Sequence, residues 1–180
     1  NISHRIEKIH FFHELGLSVF IFDYRGYGMS EGSPSEKGLY RDVEAAYQYL
    51  RAQGIADNAI IGYGESLGGA VITELASRRE IRALILDSTF ASIPQMARAL
   101  SPLIPPWALA SRFDSESKMA AIKVPKLIIH SINDEIVPYA QGKELFAAAV
   151  DPKTFLEIRG AHNSNFFESS KLLTKAVGDL

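Results

Sequence analysis

The sequence predicts an α/β fold: one domain over residues 1–180, with a mostly parallel sheet and helices on both faces. Three observations carry this expectation. Short apolar runs alternate with longer amphipathic stretches, which is the pattern of strand–helix–strand units. A loop rich in glycine and serine, Tyr24 to Pro34, follows one of those runs. A tight turn, Tyr63-Gly64-Glu65-Ser66-Leu67-Gly68-Gly69, lies between an apolar run and a helical stretch.

The elements follow in order. His4 to Leu15 reads as a helix, with Ile6, Ile9 and Leu15 among its apolar residues and Gly16 as a stop. Its histidines, His4, His10 and His13, read as surface or boundary residues. Leu17 to Asp23 is an apolar strand. Ser35 is placed to cap a helix in which Leu39, Val43, Ala46, Tyr47 and Leu50 recur at steps of three and four. Asp57 to Gly62 leads into the glycine turn, and Ala70 to Arg79 is helical. Further strands are expected over Ile81–Leu86, Val124–His130 and Thr154–Ile158, and helices over Val137–Val150 and Ser164–Val177. Between Ser88 and Ile122 the periodicity weakens. Pro94, Pro102, Pro105 and Pro106 interrupt an apolar load of Met96, Leu100, Leu103, Ile104, Trp107 and Leu109. A cap-like insertion at about residues 89–120 is expected there; a plain helical crossover is the alternative.

Composition narrows the function classes. The chain has 180 residues, 47% hydrophobic and 22% charged, with a net charge of −2. That is an ordinary globular composition, large enough for a sizeable core. No basic surplus points to nucleic acid, and no run approaches the roughly 20 apolar residues of a membrane-spanning helix. Without cysteine there is no disulfide, no thiolate nucleophile and no cysteine-ligated metal.

The glycine turn carries the chemistry. G-x-S-x-G between a strand and a helix is a nucleophile elbow, in which small flanking residues let a strained turn hold the serine above the sheet. Ser66 is the candidate nucleophile, and the backbone N–H of Leu67 is the candidate oxyanion donor. A chance glycine-rich turn is the competing reading. A serine needs a base, commonly a histidine oriented by a carboxylate. His130-Ser131-Ile132-Asn133-Asp134-Glu135-Ile136-Val137-Pro138 puts Asp134 just after an apolar run. Gly160-Ala161-His162-Asn163 puts His162 after the last strand. The order Ser66, Asp134, His162 is that of α/β enzymes bearing this elbow. Asp87, ending another strand, is the alternative acid, or else a carboxylate bonded to loop amides. The side chain of Glu135 should point elsewhere, and His130 reads as a core histidine.

These residues together resemble the α/β-hydrolase superfamily. More narrowly they resemble the small-capped serine hydrolases that include membrane-anchored α/β-hydrolase-domain proteins and protein depalmitoylases. The resemblance rests on Phe22-Asp23-Tyr24-Arg25-Gly26-Tyr27-Gly28-Met29-Ser30-Glu31-Gly32, the elbow, Asn133 to Pro138, and Gly160 to Asn163. Ser131 departs from the glycine usual at its position.

The resemblance implies an α/β-hydrolase fold and a serine hydrolase acting on carboxylic esters or thioesters without a cofactor or metal. Ser66, His162 and Asp134 would form its triad. The expected partner is a small-molecule or acylated substrate, with Phe90, Met96, Leu103, Trp107 and Val137 as candidate contacts for an apolar acyl group. A peptidase or amidase of the same fold, and a non-catalytic binding protein on that fold, are the alternatives. The resemblance also implies upstream strands and a loop supplying a second oxyanion N–H. The chain, opening at Asn1-Ile2-Ser3-His4, is therefore expected to be N-terminally incomplete, with room for an upstream anchor; a minimal, rearranged sheet is the alternative.

Overall fold

Runs rich in isoleucine and leucine become strands wherever a parallel neighbour can take their backbone hydrogen bonds. The computed structural model describes residues 2–100 and 109–180. Within them β1 (Ile61–Glu65), β2 (Ala83–Asp87), β3 (Lys126–Ser131) and β4 (Lys153–Ile158) form one sheet in the order β1-β2-β3-β4. Each pairing is parallel, with Ile61 opposite Ala83, Leu84 opposite Lys126 and Lys126 opposite Lys153. Parallel strands of this kind need crossovers, and helices supply them. Those helices are α1 (Ile6–Glu14), α2 (Glu36–Ala52), α3 (Leu67–Ala76), α4 (Ile93–Leu100), α5 (Glu116–Met119), α6 (Tyr139–Ala148), α7 (Asn165–Glu168) and α8 (Ser170–Gly178).

Side-chain alternation along the strands makes two cores. Leu84, Leu86 and Ile128 face one side, where they meet Leu39 and Val43 of α2, Val71 and Leu75 of α3, Met119 of α5 and Leu145 of α6. Ile85, Leu127 and Ile129 face the other, against Phe12 of α1, Phe166 of α7, and Leu173 and Val177 of α8. Because β2 and β3 are buried on both faces, they read as largely apolar runs rather than alternating ones. Among the described residues no helix is long and apolar enough to cross a membrane.

Several expectations shift. Leu17–Asp23 forms no strand: β1 is laddered to β2 alone among the described residues, so no neighbouring strand pairs with residues 17–23. Val19, Phe20 and Ile21 stand 39%, 45% and 38% exposed. Asp57–Ala59 is a 3-10 turn ahead of β1. The single helix expected over Ser164–Val177 is two, α7 and α8, interrupted at Ser169. Helix α1 starts late, after a 3-10 turn over Ile2–Arg5, and buries Lys8 and Phe12 while Ile6 stays exposed. His4, His10 and His13 are exposed.

The α2 expectation holds in detail: Ser35 Oγ accepts from the Gly38 N–H at 3.2 Å, and Leu39, Val43 and Tyr47 are buried. Ser35→Ala should therefore lower unfolding free energy by about 1 kcal/mol. Urea titration of the intact protein would measure this, and reactivity per folded molecule should not change.

Candidate active site

Four parallel strands end on one edge, and the turns that follow them carry the polar chemistry. Ser66 links β1 to α3 with φ 51° and ψ −121°, outside the regions that L-residues usually occupy. Such a conformation costs about 1–3 kcal/mol and persists only where surrounding contacts enforce it. Here the Ser66 N–H donates to the Asp87 carbonyl at 3.0 Å. Thr89 Oγ1 donates to the Ser66 carbonyl at 2.5 Å. A Cβ on Gly64 would strike the Gly68 carbonyl, and one on Gly69 would strike Thr89. Both glycines are thus required by close approach. Leu67 opens α3, so its N–H has no intrahelical acceptor and adds to the positive end of the helix.

The histidine and acid come from the ends of β4 and β3. His162 Nδ1–H donates to Asp134 Oδ2 at 2.7 Å. Asp134 Oδ1 accepts from the N–H groups of Ile136 and Val137 at 2.9 and 2.8 Å, so the carboxylate is fixed at both oxygens. The Asp134 side chain is fully buried. Burial pushes its pKa up, but the bonds from His162 and the two amides outweigh that and leave it below the ordinary value. The same bond from Asp134 holds His162 above the ordinary histidine value, against its own partial burial. With Nδ1 committed, Nε2 is free to accept a proton. Among the described residues no hydrogen bond joins Ser66 Oγ to His162. In unliganded sites that contact often forms only with substrate.

Other predicted residues fall as follows. Among the described residues Asp87 makes no side-chain hydrogen bond to His162 or to loop amides. Its Oδ2 accepts from Lys8 Nζ at 2.9 Å and Tyr63 OH at 2.6 Å, and its Oδ1 from Ser88 Oγ at 3.2 Å. Phe90 and Val137 are buried in the core, with Met96 half-buried against it. Leu103 and Trp107 lie outside the described residues. His130 is buried, as expected of a core histidine. Its Nε2 lies 3.0 Å from the Val137 carbonyl, and burial pushes its pKa down.

Glu135 does not point away: it accepts from the His162 backbone N–H at 2.9 Å. Ser131 joins the two loops by donating to the Gly160 carbonyl at 2.5 Å and accepting from the Asn133 N–H at 3.1 Å. Its departure from glycine is the one local sign that could have located this bridge. Lys8 was not singled out; its signal is its spacing, three, four and seven residues before Phe11, Phe12 and Leu15, which sets a lysine on the apolar face of α1.

Comparison with known proteins agrees with the fold. The family profile Hydrolase_4, described as serine aminopeptidase, S33, matches residues 5–117. The uncharacterized protein Rv2307c of Mycobacterium tuberculosis is 39% identical over 97% of this chain and 63% of its own length. The uncharacterized protein YfhR of Escherichia coli is 32% identical over 93% and 60%. The alpha/beta hydrolase domain-containing protein aho-3 of Caenorhabditis elegans is 37% identical over 83% and 45%. The chain thus spans less than two thirds of these relatives.

Many solved structures share the fold. The Pyrococcus furiosus esterase Pf2001 has a TM-score of 0.78 at 20% identity, over 98% of this chain and 73% of that one. A Paleococcus ferrophilus monoacylglycerol lipase has 0.73 at 18%, over 98% and 88%.

The coupled pair sets a pH window for stability. The depressed Asp134 pKa contributes above about pH 4, and this is lost as pH falls through the folded value. The raised His162 pKa contributes below about pH 6.5 and is lost as pH rises through the folded value. The difference in unfolding free energy between wild type and Asp134→Asn should therefore peak between these limits and shrink above them, as denaturant titrations across pH would show.

Proposed function

Because the chain belongs to the Hydrolase_4 family of α/β hydrolases, described as serine aminopeptidase, S33, we propose that it is a serine hydrolase cleaving carboxylic esters or thioesters of apolar acyl groups. One observation carries the reading: Ser66 is held in a strained turn at the edge where His162 and Asp134 are coupled at 2.7 Å. Ser66 Oγ attacks the acyl carbon as its proton passes to His162 Nε2. The Leu67 N–H donates to the oxyanion, and Asp134 stabilises the imidazolium. Collapse breaks the C–O or C–S bond, and His162 returns the proton to the leaving alcohol or thiol. Water then attacks the acyl-enzyme, with His162 again taking a proton, and Ser66 is released.

The reading includes a cap over the acyl group. Its support is the clipped base of the apolar segment: Ile93 N–H donates to the Arg112 carbonyl at 2.8 Å, and Ser115 N–H to the Ala91 carbonyl at 2.9 Å. Glu36 of α2 accepts from the N–H groups of Arg112 and Phe113 at 2.7 and 3.0 Å, tying one root to the body. Segments whose two ends are pinned together can vary in between without disturbing the sheet. The reading also places a strand beside the unladdered run 17–23, upstream in the intact protein, and gives its loop the second oxyanion donor. The one-sided pairing of β1 supports that placement.

The family description favours a second reading, hydrolysis of a peptide or amide bond. The intact protein should be assayed on p-nitrophenyl esters of increasing acyl length, acyl thioesters and amino-acid p-nitroanilides. Esters and thioesters should turn over, and Ser66→Ala should abolish this. Anilides as the better substrates would favour the second reading.

Asp134→Asn should lower kcat by roughly 10⁴, and Asp87→Asn by far less. kcat/KM should rise with pH through the His162 pKa, with a midpoint above about 6.5. A flat profile from pH 5 to 8 would contradict a histidine base.

A further inference from the structure

Beneath the serine turn lies a buried cluster of charge with no part in the reaction above. Lys8 of α1 is 8% exposed, an unusual place for a lysine. Its Nζ donates to Tyr63 OH at 2.8 Å and to Asp87 Oδ2 at 2.9 Å, and lies 3.1 Å from Glu65 Oε2. It also sits 4.3 Å from the centre of the Phe166 ring, in cation–π range. Glu65 Oε2 is buried without a hydrogen bond of proper geometry among the described residues. Its other ionic neighbour, Arg5 at 3.3 Å, is a side chain 42% exposed.

The partners of Lys8 hold the reacting groups. Glu65 directly precedes Ser66, and the Asp87 carbonyl receives the Ser66 N–H. Phe166 belongs to α7, which begins three residues after His162. Buried carboxylates are costly unless paired, and here one buried ammonium serves two of them.

We propose that Lys8 is a positioning residue for the triad: its ammonium ties the serine-bearing strand end to the histidine-bearing turn and offsets the field that Glu65 and Asp87 cast on the imidazole. The catalytic consequence rests on the serine-hydrolase reading; the electrostatic one does not. The groups around His162 are Asp134 at Nδ1, Glu135 at its backbone N–H, Glu65 and Asp87 at the ends of β1 and β2, and His130 behind Asp134. Glu65 and Asp87 each act to raise the His162 pKa, after the larger effect of Asp134. Removing the cation between them leaves Asp87 with no cation among the described residues and Glu65 with only the half-exposed Arg5, so the imidazolium gains.

The test is the NMR titration of the His162 ring in the intact protein. Lys8→Met should raise its pKa by about 0.5 to 1 unit, the scale of one nearby charge. Lys8→Arg should stay near wild type, and Glu65→Gln should lower the pKa. The double variant Lys8→Met with Glu65→Gln should return it close to wild type. In kinetics, Lys8→Met should move the acid limb upward and reduce kcat more than it changes KM.

An unchanged His162 titration in folded Lys8→Met would overturn the proposal. Should Lys8→Met fail to fold, an unchanged or raised value in Glu65→Gln would overturn it. If His162 shifts as stated while no ester, thioester or anilide is cleaved, the functional reading fails and Lys8 keeps its role. Normal hydrolysis with an immobile His162 pKa has the opposite meaning.

Discussion

Ser66 holds a backbone conformation, φ 51° and ψ −121°, that a free serine avoids, and its surroundings keep it there. The Ser66 N–H and carbonyl are bonded to Asp87 and Thr89, from the end of β2 and the loop beyond it. Gly64 and Gly69 leave no room for relaxation. The rest of the sheet can be seen as what this turn requires. Central strands buried on both faces give it a rigid base. Helix α3 gives it an N-terminus beside which negative charge is stabilised. Strain of about 1–3 kcal/mol is small against the burial of two cores, so the fold can hold it.

Carboxylates crowd the same edge, and their partners sort them into roles. Asp134 is fixed by two amides and faces the imidazole. Glu135 fixes the backbone of the histidine turn. Asp87, which the sequence left open as the triad acid, is occupied by Lys8, Tyr63 and Ser88. Burial and the neighbouring carboxylates keep the Tyr63 phenol protonated, so it remains a donor to Asp87. Geometry, rather than residue type, thus separates two aspartates that both end strands.

What could be read from sequence was local. The elbow, the acid loop and the histidine turn each span a few residues, and their order along the chain matches the order of strand ends. Ser35 was legible for the same reason, since a cap and its acceptor lie three residues apart. Leu17–Asp23 misled because apolar content marks what a strand needs on its faces, while a strand also needs a neighbour at its edge. The break at Ser169 fell inside a helical pattern that read as continuous. Lys8 escaped because its contacts lie 55 and 79 residues away. On a helical wheel it falls among Phe11, Phe12 and Leu15, but a lysine on an apolar face does not name its distant partners. Glu135 was misplaced because neighbouring residues in a turn need not diverge as they do in a strand.

The central claim is that Ser66 is an activated nucleophile, and covalent capture tests it most directly. The intact protein would be treated with a fluorophosphonate at neutral pH, digested, and mapped by mass spectrometry. The account predicts a single adduct on the peptide bearing Ser66, abolished in Ser66→Ala and slowed strongly in His162→Gln. No adduct on correctly folded protein, or labelling at equal rate in the His162→Gln variant, would contradict it.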